Sequence, residues 1–390
     1  MRSVGLADGV GGLVDELDGL VDGLGGLVDE LLEATVVGSF SRLGYVVRRA
    51  VEHWEDPPRV DGRVMVVTGA SSGVGRAAAL QLGRLGAEVW ALGRDPVRTE
   101  AVAGAIRAAG GHAVACVVDV SDPATVVAFA ERLGAAHDRL HGLVHAAGAL
   151  LRSYSQAADG SETTVATHVL GPYRLTWLLA PLLRRAGGST IVTVSSGGMY
   201  TERLDLSRLE MGPEHYDGVR AYARAKRAQV VLAAEWARRW SASGVASYAM
   251  HPGWVDTPGL ASGLPSFTAL LRRCSLLRRP EEGADTAVWL AAGGAPGGGG
   301  GGVAGWRRRR GAARWRGGGA RSGGGGGGAP PGGGAPGGPG FWHDRHRRGE
   351  HYLPWTRPRA GRDDAGGGGG GGELWEWCAA RTGLGLGLGR

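Results

Sequence analysis

The chain has 390 residues and a 43% apolar share, enough to bury a full core in one large domain or two small ones, which excludes a wholly disordered protein. Basic and acidic residues number 44 and 37, a net +7; residues 297–390 hold 15 Arg against 6 acids (+9), so residues 1–296 stand at 7 − 9 = −2 and the basic pI belongs to the tail alone. The 3 cysteines are too scattered for a disulfide framework or metal cluster, and no apolar run reaches the roughly 18 residues of a membrane span, so a soluble cytoplasmic protein without a metal is expected.

The first 35 residues are acidic and Gly-rich, unlike a signal peptide or an Arg-rich transit peptide. Residues 12–32 run GLVDELD, GLVDGLG, GLVDELL, three heptads whose Leu and Val face one side of a helix that the glycines weaken. Self-association through so short a coil is the lesser reading. Phe40, Leu43, Val47, Ala50, Val51 and Trp54 then follow helical spacing, with Arg42, Arg48 and Arg49 opposite. Packing of this helix on the main domain is favoured over peripheral contact with a membrane surface.

Pro57 and Pro58 end that helix, and from Arg63 short β-branched runs alternate with Ala- and Leu-rich amphipathic stretches. The alternation predicts an α/β fold, a doubly wound parallel sheet in a three-layer αβα arrangement. The expected strands are 64–68, 88–92, 113–118, 142–145, 190–194 and 245–250. Residues 293–339 are rich in Gly, Pro and Arg without any strand or helix pattern, and are read as a disordered insertion. Pattern returns at GFWHD (340–344), a last strand, and at Glu373–Leu384, a terminal helix. The expected division is therefore a helical extension (1–58), a Rossmann-type domain (59–292), the insertion (293–339) and the domain's last strand and helix (340–390).

VMVVTGASSGVGRAAAL, from Val64, is a strand, a Gly-rich turn and an Ala-rich helix, the order a pyrophosphate site needs. Gly69, Gly73 and Gly75 permit a tight turn and close approach, and Ser71, Ser72 and Val74 fill the same turn. A tight turn without a ligand would carry the same glycines. About 20 residues on, where an acidic side chain normally holds the ribose of NAD, stands Arg94, which favours the 2′-phosphate of NADP over NAD. Asp95 precedes Pro96 and suits a helix N-cap. Asp119 can bond the adenine amine or cap the next helix, and the two roles are compatible.

No Asn occurs anywhere, Ile appears only at 106 and 191, and Lys226 is the sole lysine, a pattern of extreme coding bias. That one lysine lies four residues after Tyr222, in AYARAKRAQVV, although only 8 of 390 residues are Tyr. The spacing stacks both side chains on one helix face, where an ammonium is expected to lower the phenol's pKa toward general acid–base use. TIVTVSSGG, from Thr190, is a buried strand ending in Ser195 and Ser196; Ser196 is the candidate to bond a substrate carbonyl, and both serines also suit a turn.

TGASSGVG, Ser196 and YARAK together resemble the short-chain dehydrogenase/reductase family, from about Asp61 to Ala292. VVGSFSRLGYVVRR (36–49), VSSGGM (194–199) and MHPGWVDTPG (250–259) resemble one branch of it more closely. The resemblance implies an oxidoreductase in which Tyr222 donates a proton to the carbonyl oxygen and Lys226 tunes it and holds the nicotinamide ribose. It also implies that Ser196 positions the substrate, that Ala147 and Gly148 line the cofactor, and that Pro252, Gly253 and Thr257 border the nicotinamide. Two departures stand out. The family's Asn-Asn-Ala-Gly is here HAAG (145–148), and the Asn that completes its proton relay is His168, which can also bond a water.

The stretch between Ser196 and Tyr222 is longer than in the smallest family members. With Trp254, Leu260, Leu264, Phe267, Leu270 and Leu271 it suggests an apolar lid and a lipophilic aldehyde, ketone or secondary alcohol as substrate. A homodimer or homotetramer is expected by resemblance only, through the Tyr222 helix. Two alternatives differ in class: a nucleotide-binding scaffold that does not turn over, and RNA contact through WRRRRGAARWRGGGARSGGGGGG (306–328); no specific nucleic acid is expected.

Overall fold

The computed structural model describes residues 32, 35–52, 54–294, 340–348 and 370–385. The heptads (apart from residue 32), nearly all of the 293–339 insertion and the Arg/Gly/Trp tract lie outside the described residues. The elements, in chain order, are α1 (Val36–Phe40), α2 (Arg42–Val51), β1 (Val64–Thr68), α3 (Gly73–Arg84), β2 (Glu88–Gly93), α4 (Pro96–Ala108), β3 (His112–Val117), α5 (Pro123–Ala136) and β4 (Gly142–His145). There follow a helical turn (Thr163–Val165), a π turn (Ala166–Leu170), α6 (Gly171–Arg185), β5 (Ser189–Val194), α7 (Gly218–Trp240), β6 (Val245–Met250), α8 (Pro258–Gly263), α9 (Pro265–Arg273) and α10 (Pro280–Ala291). After the insertion come β7 (Gly340–His343), β8 (His346–Arg348) and α11 (Gly370–Thr382).

The strands form one sheet in the order β3-β2-β1-β4-β5-β6-β7-β8, parallel except for β8. Strand β1, VMVVT, is buried along its whole length, as a parallel strand covered on both faces must be. Met65, Val67, Val89, Ala91 and Val144 face α3, α4 and α10, while Val66, Leu92, Leu143 and Ile191 face α5, α6, α7 and α11. These two apolar layers are the middle of the αβα sandwich. The strand order reverses between β1 and β4, and ligands of such sheets bind at the carboxyl ends beside that switch point.

Three features depart from expectation. Strand β8 was not expected; Asp344 and Arg345 turn the chain with φ of 47° and 61°, a two-residue hairpin turn that Gly or Asn usually supplies. The terminal helix runs Gly370–Thr382, three residues earlier than its apolar pattern suggested. The N-terminal helix is broken at the extended Ser41, and its buried face is Phe40, Tyr45 and Arg48, with Leu43 58% exposed. An arginine is buried there because Asp344, 296 residues away, meets it: Arg48 Nη1 donates to Asp344 Oδ2 at 2.8 Å. α11 lies against α6 and α7, with the Trp375 ring 5.1 Å from Tyr173 and 6.3 Å from Trp240, and Arg239 stacked over Trp375.

Candidate active site

The site is assembled at the carboxyl ends of β1, β4, β5 and β6. Thr68, the last residue of β1, accepts hydrogen bonds at Oγ1 from the N–H groups of Ala146 and Ala147, each at 3.1 Å. This ties the glycine turn to the strip that follows β4. Gly69 is left-handed (φ 66°), and a Cβ there would lie 2.7 Å from the Ala147 Cα. A Cβ on Gly75 would collide with the Gly69 carbonyl oxygen, and one on Gly73 would lie 3.0 Å from the methyl of Thr257. Ser72 precedes α3 without capping it by its side chain, and Val74 in the first turn packs on the core. The arrangement is a cradle that only backbone can line, with the first N–H groups of a 12-residue helix aimed into it, which suits a pyrophosphate.

Ser71 rests against Gly93, the last residue of β2, with its Cβ 3.1 Å from where a Gly93 Cβ would be. Arg94 extends beyond it into solvent, Nη1 3.8 Å from Asp119 Oδ2. Asp95 caps α4, accepting from Arg98 N at 2.9 Å and Arg98 Nε at 2.7 Å, and these bonds hold its carboxyl below the usual range. It is thereby committed away from a ribose. Asp119 accepts at Oδ1 from the N–H and Oγ–H of Ser121, and the cap of α5 is Asp122 instead. Its second oxygen faces Arg94.

α7 starts at Asp217, whose carboxylate accepts from Val219 N and Arg220 N. Tyr222 and Lys226 share a face, with Nζ 5.4 Å from the phenol ring centroid. Lys226 Nζ donates to the Val194 carbonyl at 2.8 Å, and Ser195 Oγ donates to the Lys226 carbonyl at 2.9 Å, so the end of β5 and the helix are bonded in both directions. Ser196 lies beside Tyr222, where its hydroxyl opposes the rise in the phenol's pKa, and accepts from Gly198 N at 3.3 Å. The expectation that the ammonium lowers the phenol's pKa is corrected: burial raises Tyr222 above its ordinary value, opposed by Ser196, while burial alone brings Lys226 down to about 7. Desolvation outweighs the charge because both groups sit in the same dry layer.

His168 lies on the π turn, edge-on to Tyr222 at 5.2 Å, with Nε2 3.0 Å from the Ala149 carbonyl oxygen. A Cβ on Gly148 would lie 2.5 Å from the His168 Cε1, so glycine at 148 makes room for the ring. Burial and the nearby Lys226 push the imidazole down to about 3, hence neutral. His145 turns away from this site into the core, Nε2 2.7 Å from Thr176 Oγ1 and its ring stacked on Trp236. Of HAAG, Ala146 and Ala147 border the glycine turn, and Gly148 lies against His168.

After β6, Gly253 is left-handed (φ 76°) and its N–H donates to His251 Nδ1 at 3.1 Å, with Pro252 between them. Thr257 caps α8, accepting from Leu260 N at 3.2 Å, and its methyl meets the glycine turn. Trp254 and Phe267 meet at 5.5 Å, Gly263 presses on Leu150, and Leu271 is buried, so α8 and α9 cover the strip after β4; Leu270, 59% exposed, is not part of that cover. Sequence reasoning missed Phe40 as a neighbour of this region. Its ring lies 4.5 Å from His251 and 5.8 Å from Trp254, and a Cβ on Gly197, beside Ser196, would come within 2.9 Å of it.

The family described as short chain dehydrogenase matches residues 63–263. Dehydrogenase/reductase SDR family member 12 of Homo sapiens is 39% identical over 235 residues, 60% of this chain and 73% of that one. Retinol dehydrogenase 11 of Mus musculus is 33% identical over 240 residues, 60% of this chain and 74% of that one. Among solved structures, a putative NAD(P)-dependent gluconate 5-dehydrogenase from Beutenbergia cavernae with bound NADP superposes with a TM-score of 0.50 at 30% identity, over 60% of this chain and 90% of that one.

Proposed function

The chain belongs to the short-chain dehydrogenase/reductase family and is an oxidoreductase acting between CH–OH and C=O with a nicotinamide cofactor; from that premise we propose that it uses NADP and reduces or oxidises lipophilic carbonyls and alcohols. The observation that carries the reading is the Tyr222–Lys226 pair, with Nζ 5.4 Å from the phenol ring centroid and Ser196 beside it at the carboxyl end of β5.

The cradle of Gly69, Ser71, Ser72, Gly73, Val74 and Gly75 would hold the pyrophosphate, Arg94 the 2′-phosphate and Asp119 the adenine. Ala147, Gly148, Pro252, Gly253 and Thr257 would line the nicotinamide half. When bound, the nicotinamide supplies or takes up the hydride. Ser196 Oγ holds the carbonyl oxygen, and the Tyr222 hydroxyl, kept protonated by burial, gives that oxygen its proton. Lys226, whose Nζ donates to the Val194 carbonyl, would hold the ribose and resupply the proton. His168, neutral, orients a water in place of the family's Asn. Trp254 and Phe267 support an apolar substrate, as do the retinol dehydrogenases among the relatives. The cytosol is the working location, with peripheral membrane contact as the alternative; no described helix is long and apolar enough to cross a membrane. The family's pairing through the Tyr222 helix would have to include or displace α11, which already lies on Trp240.

Calorimetric titration tests the cofactor. NADPH is expected to bind at least tenfold more tightly than NADH, about 1.4 kcal/mol. Arg94→Ala is expected to erase that difference while leaving NADH within about twofold of its starting affinity, since Asp95 stays occupied by Arg98. Equal affinities in the unaltered chain would remove the NADP assignment.

A further inference from the structure

Both outer segments of the described chain converge beneath the Pro252–Gly253 loop. From the N-terminal side, the Phe40 carbonyl accepts from Trp254 N at 2.8 Å. From the middle of the chain, Arg278 runs beside Val255 as a one-residue parallel bridge, its N–H donating to the Trp254 carbonyl at 2.7 Å. Its side chain then passes under Gly253. A Cβ at position 253 would lie 2.5 Å from Arg278 Nε and 2.7 Å from both Arg278 Cζ and the Phe40 carbonyl oxygen. The left-handed turn at Gly253 therefore rests on the face of the Arg278 guanidinium. From beyond the insertion, Asp344 reaches in from the β7–β8 turn.

The guanidinium is held on nearly every donor. Arg278 Nε donates to the Ser41 carbonyl at 3.1 Å and Nη2 to the Ser39 carbonyl at 2.8 Å. Asp344 takes it in bidentate fashion, from Nη1 at 2.5 Å and Nη2 at 2.9 Å, and also accepts from Arg48. Arg48, Arg278 and Asp344 are 0%, 2% and 1% exposed. Such a group has one geometry, because each buried donor left unmet carries a desolvation penalty. Asp344 itself stands at a φ of 47°, a conformation that surrounding contacts must enforce. None of these residues belongs to the glycine turn, to Arg94 or to Asp119, which draw on β1, β2 and β3.

We propose that Asp344 is a positioning residue for the nicotinamide half of the cofactor, acting through Arg278, whose plane it fixes beneath the Pro252–Gly253 turn. The segment beyond the insertion and the N-terminal extension thereby complete the cofactor site from outside residues 63–263, the stretch that matches the family. The proposal rests on the assignment of that loop to the nicotinamide.

The test compares two nucleotides on the full chain: NADPH, and 2′-phospho-ADP-ribose, which lacks only the nicotinamide. Asp344→Asn keeps the shape and removes the charge that orients the guanidinium. NADPH affinity is expected to fall at least tenfold, while 2′-phospho-ADP-ribose stays within twofold of its affinity for the unaltered chain. A parallel loss of both ligands would reduce Asp344 to a structural residue, and unchanged NADPH affinity would remove it from cofactor positioning; either result overturns the proposal. If Asp344→Asn fails to give a cooperative melt, Arg48→Met is read by the same pair of titrations, with at least a threefold loss for NADPH alone expected. Failure of the unaltered chain to bind NADPH would instead overturn the cofactor assignment, and this proposal with it.

Discussion

Tyr222→Phe is expected to lower turnover of any accepted carbonyl by about 10²- to 10⁴-fold, the range that loss of a positioned proton donor produces. NADPH affinity is expected to stay within about twofold. The substitution deletes a single hydroxyl, while the ring keeps its edge contact with His168 and its place beside Lys226. Because burial keeps the phenol protonated well past neutrality, the unaltered enzyme enters the reductive direction with its proton in place. Steady-state rates and a parallel cofactor titration separate chemistry from binding. Turnover equal to that of the unaltered chain would remove Tyr222 as the proton donor, and no turnover by either chain would leave the fold a nucleotide-binding scaffold.

A second large effect concerns acid stability. His145 and His168 are both buried and both held at about 3, against an ordinary value of 6.5, with desolvation as the leading cause. His145 faces Thr176 and Trp236, and His168 faces Lys226, Tyr222 and the Ala149 backbone, none of them an anion that could stabilise an imidazolium. The folded value lies below the unfolded one. Between pH 6.5 and 3 the unfolded chain therefore binds more protons, and stability present above pH 6.5 is lost as the pH falls. Each histidine approaches a slope of about 1.4 kcal/mol per pH unit once the unfolded ring is protonated, so the pair removes about 3 kcal/mol between pH 6.5 and 5, a large part of a typical total. Lys226, at about 7 in the fold, is largely charged in both states below pH 6.5 and adds only a small slope in that window. Urea melts at pH 6.5, 5.75 and 5 measure the loss, and His145→Gln is expected to halve it. A flat profile would mean that the two rings are not buried neutral.

The two histidines also bear on the residues that stand where the family has Asn. The whole chain contains no Asn, but the two positions ended in different surroundings. At 145 the side chain joins the core against Trp236; at 168 it stays beside Tyr222, with glycine at 148 leaving space for its ring. Sequence alone treats the two replacements as equivalent. Their difference follows from the alternation along β4, which sends position 145 to the α6 and α7 face, and from the π turn that carries 168.

What the sequence by itself determined is local. The β-branched runs fell within one residue of the strand boundaries, the glycine turn opened a helix as its spacing required, and i, i+4 spacing set Tyr222 and Lys226 on one face. Periods of two and 3.6 are properties of the chain itself and can be read without knowing what lies opposite. The tertiary structure decided what depends on partners. Arg48 is buried because it meets Asp344 from 296 residues away, Gly253 rests on Arg278, and Phe40, at the end of α1, stands beside His251. It also set the balance at the Tyr222–Lys226 pair, where charge proximity was legible but desolvation, a property of everything packed around the two side chains, turned out larger. Burial is a sum over the whole fold, and no short window of sequence contains it.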